Sequence, residues 1–269
     1  MDDVLVLWDI DGTLLNAGGV GRDLYDVVFI QLFGRSLDAV APMAGRTDRA
    51  IILETLSLAG VPEPRRYVDP FIAGLSAQVP LVREAVVARG HALPGAAEAL
   101  AALGAHGMPG QPGGVHQSVL TGNIRPVAEV KLAAVGLRDP LDLCIGAYGD
   151  DHEVRAELVH VARRRAAAVH GRSPSDFDGT ATVLIGDTPL DVEAAIATGA
   201  RAVGVATGSY NEGDLAAAGA HVVLPDLTNT WEVLNALLAP LSAFASRPGS
   251  EPRLRPGLRP GFRPRLSSP

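Results

Sequence analysis

Five short apolar runs constrain this chain most. Val4–Trp8, Ser118–Thr121, Leu143–Ala147, Thr182–Ile185 and Ala202–Ala206 are four or five residues long and hold several β-branched side chains. Strands buried on both faces of a parallel sheet have this composition, because neither face of such a strand meets water. The segments Gly95–Leu103, Arg125–Val135, Val154–Ala168 and Leu190–Thr198 are alanine-rich and follow a helical period. Strands alternating with helices predict an α/β fold with a doubly wound, Rossmann-like parallel sheet. With 269 residues, 47% of them hydrophobic, the chain can bury a substantial core.

One connection breaks the rhythm. From Asn16 to about Arg89 no strand is evident, and Val20–Leu32, Asp48–Leu58 and Ala73–Arg89 read as helices. Such a length far exceeds the roughly 2–6 residues of an ordinary βα loop. The expected organisation is therefore an α/β core of residues 1–15 and 93–240, with an all-α subdomain of residues 16–92 inserted after the first strand. The stretch "HGMPGQPGGVH", His106 to His116, reads as a flexible loop. Ser246 to Pro269 holds six arginines, six prolines, three glycines and one acid, a composition expected to stay disordered. That tail carries +5 of a total net charge of −7, leaving −12 on the rest. This balance argues against nucleic acid as the main partner, and the tail reads as solvated. The single cysteine, Cys144, permits no disulfide within the chain and, inside an apolar run, reads as a small buried side chain. With no run of 18 apolar residues and no basic-then-apolar leader, a soluble cytoplasmic protein that does not enter membranes is expected.

Ligands of open parallel sheets bind beyond the carboxyl ends of the strands. After the first strand come Asp9, Asp11, Gly12 and Thr13, in "DIDGTLL"; after the second, Thr121, Gly122 and Asn123, in "VLTGN"; after the fourth, Asp187 and Asp191, in "GDTPLD". Four acids, hydroxyls and glycines thus converge on one edge. Acids ending a buried strand are costly without a compensating cation.

These three segments resemble the first, second and fourth motifs of the haloacid dehalogenase superfamily of hydrolases, over roughly Val4 to Ala206, and the helical insertion resembles that superfamily's α-helical cap. The resemblance implies a nucleophilic Asp9 that takes up a phosphoryl group, splitting one displacement into two through an aspartyl-phosphate. It implies Asp11 as general acid and then general base. It implies Mg²⁺, an oxygen-seeking ion, held by Asp9, the Asp11 backbone carbonyl and Asp187, with Asp191 in support. Gly12, Thr13, Thr121 and Gly122 would contact the phosphate. Asp191 also suits a helix start with Thr188 and Pro189, and Asn123 suits a helix cap.

Two residues compete for the cation of the third motif. Lys131 falls on the apolar arc of its helix with Val127, Ala134 and Val135, about 12 Å of helix rise beyond Asn123. Arg155 starts the helix after the third apolar run, at the correct edge, though relatives often read Lys-Pro where this chain has Arg155-Ala156. Its alternative is a surface ion pair with Asp150, Asp151 or Glu153. "MAGRTDRAI", Met43 to Ile51, resembles the cap's substrate loop in phosphoglycolate-phosphatase-like members, which implies Arg46 as a contact for a substrate carboxylate or second phosphate; alternatively Thr47 caps a helix and Arg46 is solvated.

Asp11 narrows the activity, since displacement of halide needs no proton. The expected function is a Mg²⁺-dependent phosphatase acting on a small anionic phosphomonoester, phosphoglycolate among the options. A sugar phosphomutase is the alternative within the superfamily. From other classes stand a catalytically silent phosphate-binding protein and a tail-mediated interaction protein.

Overall fold

The computed structural model describes residues 3–106 and 114–240. The Ser246–Pro269 tail and most of the Gly/Pro loop read from the sequence lie outside the described residues. Five parallel strands form the main sheet: β1 (Val4–Trp8), β4 (Val115–Val119), β5 (Thr182–Gly186), β6 (Arg201–Val205) and β7 (Val222–Leu224), in the order β4-β1-β5-β6-β7. A second pair, β2 (Leu15–Asn16) and β3 (His91–Ala92), is antiparallel, with Leu15 opposite Ala92 and Asn16 opposite His91.

β1 shows why the sheet must be covered on both sides. Leu5 and Leu7 point into one apolar layer and Val6 and Trp8 into the other, and all four are fully buried. The alternation is the ordinary period of two, with apolar side chains at both phases. On the Leu5/Leu7 side lie α7 (Arg155–His170), α8 (Pro189–Ala197) and α9 (Glu212–Ala217), packing through Leu158, Val159, Ala162, Val192, Ala195 and Leu215. On the Val6/Trp8 side lie α5 (Ala96–His106), α6 (Arg125–Ala134) and α10 (Thr230–Leu238), packing through Leu100, Leu103, Leu132, Val233 and Leu237. Small alanines on α8 let that helix approach β5 and β6 closely.

The strand order also locates the working edge. From β1 the chain crosses to β4 on one side, then passes back over β1 to β5, β6 and β7 on the other. The carboxyl ends of β1 and β5 therefore flank the topological switch, where the loops part and leave a crevice.

The insertion leaves through β2 and returns through β3, and the Leu93 amide donates to the Leu14 carbonyl at 2.9 Å to close its base. Between them run α1 (Val20–Phe33), α2 (Asp48–Leu58), α3 (Val68–Ala77) and α4 (Val79–Arg89). The single helix predicted over Ala73–Arg89 is in fact two, bent by 55° at Gln78. Pro80 explains the break: it has no amide to donate, and it sits in the first turn of α4, where none is needed.

Two other expectations are corrected. Leu143–Ala147 is not a regular strand; only Ala147 bridges to Leu120 at the sheet's edge. Its backbone is diverted locally: the Cys144 amide donates to the Asp142 carboxylate at 3.0 Å, and the Tyr148 hydroxyl donates to the Leu143 carbonyl at 2.7 Å. Cys144 is exposed rather than buried, because Leu143 and Ile145 take the inward phase on either side of it. No single helix among the described residues is long and apolar enough to cross a membrane.

Since Leu7 sits fully buried in a central strand, Leu7→Ala should lower stability by about 2–5 kcal/mol. The expected reading is a lower urea midpoint with an unchanged slope.

Candidate active site

The crevice at the carboxyl ends of β1 and β5 gathers most of the acids picked out by sequence. Asp9 follows β1, and its amide donates to the Ile185 carbonyl at 2.8 Å, which extends the sheet's pairing by one residue and holds the carboxylate at the rim. Asp187 follows β5. Asp191 lies in the first turn of α8, where it forms a reciprocal capping box with Thr188. Carboxylate oxygens of Asp9, Asp187 and Asp191 all lie within 4.8 Å of one another, and all three residues are buried. Asp191 thus caps α8 and also lies within the acid group.

Three buried carboxylates this close require positive charge. Arg155, the first residue of α7, supplies one unit. Its Nη2 lies 3.0 Å from Asp9 Oδ1, and its Nε donates to Asp191 Oδ1 at 2.9 Å. Burial works against the charge on Arg155, but Asp191 and Asp9 outweigh it and raise its pKa above the ordinary arginine value. The acids remain under-compensated. Burial, opposed by Arg155 and reinforced by Asp191 and Asp11, pushes Asp9 up to about 7. Burial, then Asp9 and Asp191, push Asp187 up to about 8. The surface pairing once open to Arg155 is absent: Asp150 accepts from the Arg125 amide, Asp151 pairs with Arg165 and Glu153 with Arg65.

Asp11 stands apart from this triad. Its carboxylate accepts from Lys131 Nζ at 2.7 Å and from Asn123 Nδ2 at 2.7 Å. Lys131 Nζ also donates to Asn123 Oδ1 at 2.7 Å, and Asn123 Nδ2 to Thr121 Oγ1 at 2.9 Å. Lys131 therefore reaches back up its helix to the rim, and both competing cations arrive at the site on different acids. Asn123 does not cap α6, whose N-cap is Ile124; its amide instead links Asp11, Lys131 and Thr121. Thr13 donates through Oγ1 to Asp187 Oδ1 at 3.2 Å. Gly12 has φ of 86°, and a β-carbon there would collide with the Asp187 carboxylate, so the turn admits no side chain.

The helical insertion closes over this rim through the start of α2. The Asp48 amide donates to the Gly122 carbonyl at 2.7 Å and the Arg49 amide to the Gly149 carbonyl at 3.2 Å. Thr47 Oγ1 donates to the Glu153 carbonyl at 2.9 Å and accepts from the Ala50 amide, so it caps α2 while binding the core. Gly122 lies under this contact, and a β-carbon there would strike the Arg46 carbonyl oxygen. Arg46 itself is turned away from the acids: its Nη2 pairs with Glu54 Oε2 at 2.6 Å and its Nη1 donates to the Pro42 carbonyl at 3.0 Å.

Sequence reasoning missed Asp48 and Tyr25. The buried Asp48 carboxylate accepts from the Tyr25 hydroxyl at 2.6 Å and from the Ile124 amide at 2.8 Å, tying α1, α2 and the start of α6 together. Burial raises its pKa, against both hydrogen bonds and Lys131. Asp48 looked like an ordinary first-turn acid, and no local signal marked it. The Thr207–Ser209 loop after β6 was missed too; Thr207 Oγ1 donates to the Gly12 carbonyl at 2.6 Å. Core and insertion together line a cavity of about 540 Å³, with Asp9, Asp11, Lys131, Arg155 and Asp187 among its walls.

The donor set fits a divalent cation. Asp9, Asp187 and Asp191 supply hard oxygen ligands, and one arginine does not balance them.

The family model for haloacid dehalogenase-like hydrolases matches residues 6–195. No curated protein matches the sequence. Among solved structures, a predicted phosphatase from Clostridium acetobutylicum is similar at 17% identity and a TM-score of 0.60, covering 87% of this chain and 100% of that one. A hydrolase from Pseudomonas syringae is similar at 20% identity and a TM-score of 0.58, covering 87% and 98%. A candidate beta-phosphoglucomutase from Thermotoga maritima is similar at 17% identity and a TM-score of 0.53, covering 87% and 100%. At these identities the likeness establishes the fold.

Two outcomes are expected. Gly122→Ala should undock the start of α2 from the core, raising the rate of limited proteolysis in the insertion about tenfold for each roughly 1.4 kcal/mol of docking lost. The second concerns pH. Asp9 and Asp187 have folded pKa values raised from 3.8 to about 7 and about 8, so the folded state holds more protons across that interval and stability falls as pH rises through it. The melting temperature of the metal-free chain should drop as pH rises from about 4 to about 8 and level off above that, and a divalent cation should raise it more at the upper end.

Proposed function

Because this chain belongs to the haloacid dehalogenase-like hydrolase family, we propose that it is a Mg²⁺-dependent phosphatase that passes the phosphoryl group of a small phosphomonoester to Asp9 and then to water. The observation that carries this reading is the buried Asp9 carboxylate, set between Arg155 and the acids Asp187 and Asp191, with Asp11 two residues away on the same cavity.

In the first step a carboxylate oxygen of Asp9 forms a bond to phosphorus while the bond to the leaving alkoxide breaks. Asp11 gives that oxygen its proton. In the second step water attacks the aspartyl-phosphate, Asp11 takes the water's proton, and Asp9 is released as a carboxylate. Lys131, hydrogen-bonded to Asp11, holds that side chain in position, and Asn123 ties the pair to Thr121. Arg155 orients Asp9 and lowers the repulsion between it and the incoming phosphate. Gly12, Thr13, Thr121 and the Gly122 amide form the phosphate's surroundings. Asp9, Asp187, Asp191 and the Asp11 carbonyl would hold Mg²⁺, which when bound screens the carboxylates from the phosphate dianion. The docked insertion covers part of the site and would act as the cap.

Asp11 separates this reading from dehalogenation, which needs no proton donor at the leaving group. A sugar phosphomutase would share the first step and part from hydrolysis only in what receives the phosphoryl group.

Asp9→Asn should reduce phosphate release by about a thousandfold or more while leaving the fold intact by circular dichroism. Chelation of divalent metal should abolish the wild-type rate, and deletion of Ser246–Pro269 should leave it unchanged. Turnover that survived either the Asp9→Asn substitution or the chelator would overturn the proposal.

A further inference from the structure

We infer that the alcohol released by this enzyme is uncharged and apolar-bodied, and that substrates with a second anionic group are selected against. The inference rests on the phosphatase reading for the reaction, but its support is the far half of the cavity.

The cavity of about 540 Å³ lies within the roughly 300–1,000 Å³ range of small-molecule sites. Its two halves differ in chemistry. One end holds the acids with Lys131 and Arg155. The other, formed by the insertion, is walled by Val20, Leu24, Met43, Ile51 and Leu75, from α1, α2, α3 and the loop before α2. That half could take up a hydrocarbon body at about 25 cal/mol per Å² removed from water.

Its charges argue against a second anion. Arg46 lines the cavity, but Glu54 neutralises its guanidinium at 2.6 Å, and the Pro42 and Ala50 carbonyls occupy further N–H groups. Tyr25, a neutral donor, is already bonded to Asp48 at 2.6 Å. Asp48 is itself an acid, buried in the cavity wall. Both remaining cations among the described cavity residues are bound to acids at the other end, Lys131 to Asp11 and Arg155 to Asp9 and Asp191. A carboxylate or second phosphate placed here would be buried without a free counter-charge, beside an acid.

The full chain with Mg²⁺ is assayed on ethyl, butyl and hexyl phosphate, phosphoglycolate and glucose 1,6-bisphosphate. The expected kcat/KM rises roughly threefold to fourfold per added methylene until the cavity is filled. Phosphoglycolate and the bisphosphate should fall at least about tenfold below butyl phosphate. Met43→Asn should flatten the chain-length gain. Glu54→Gln, which frees Arg46, should improve phosphoglycolate while leaving alkyl phosphates unchanged. Binding of the same ligands to the Asp9→Asn variant by calorimetry separates the two proposals. Chain-length preference in binding without turnover of any ester would keep the cavity's preference for an apolar, singly anionic ligand and sink the phosphatase reading. Preference for phosphoglycolate or the bisphosphate, indifference to chain length, or no binding would overturn the inference, and turnover could persist in each case.

Discussion

The buried guanidinium of Arg155 is the interaction on which the site depends. Asp9, Asp187 and Asp191 sit at the ends of different elements, and nothing in the sheet's pairing would hold three carboxylates together. Arg155 bonds two of them from the start of α7, and the Thr188 capping box fixes the third side of Asp191. The arginine does not cancel the group's charge, which is why Asp9 and Asp187 are pushed toward neutrality and why a divalent ion fits there. A site built this way is poised: its folded geometry already contains the charge imbalance that a metal relieves.

A second network repeats the device with opposite emphasis. Lys131 and Asn123 bracket Asp11 and hold its carboxylate away from the triad, toward the cavity. Two acids two residues apart thereby acquire different surroundings. Asp9 is enclosed among carboxylates, while Asp11 is partly exposed and paired with a lysine. Different environments for neighbouring acids allow one to serve as nucleophile and the other to move protons.

The insertion completes the enclosure by backbone contact more than by side chains. Thr47, Asp48 and Arg49 lie on the loops at residues 122–124 and 149–153, and the absence of a side chain at Gly122 lets the two backbones meet. Asp48 then belongs to three elements at once. Apolar side chains from the same insertion line the cavity.

The local pattern of the chain was enough for the parallel α/β sheet, for the helical insertion between Leu15 and Leu93, and for Asp9, Asp11, Asp187 and Asp191 as acids at strand ends. Each depends on neighbours in sequence: two-sided apolar runs, helical periods, and the switch from apolar residue to acid where a strand stops. Lys131 was legible too, as a charge on an apolar arc. Tertiary structure alone decided that Arg155 and Lys131 serve different acids, that Asn123 belongs to the Asp11 network instead of capping α6, that Cys144 faces outward, and that Arg46 is held by Glu54. It alone brought Tyr25 and Asp48 into the cavity wall. The physical reason is range: strands and helices follow from the chain's own short period, but the partner of a buried charge is chosen by packing among residues up to 174 positions apart, as between Thr13 and Asp187.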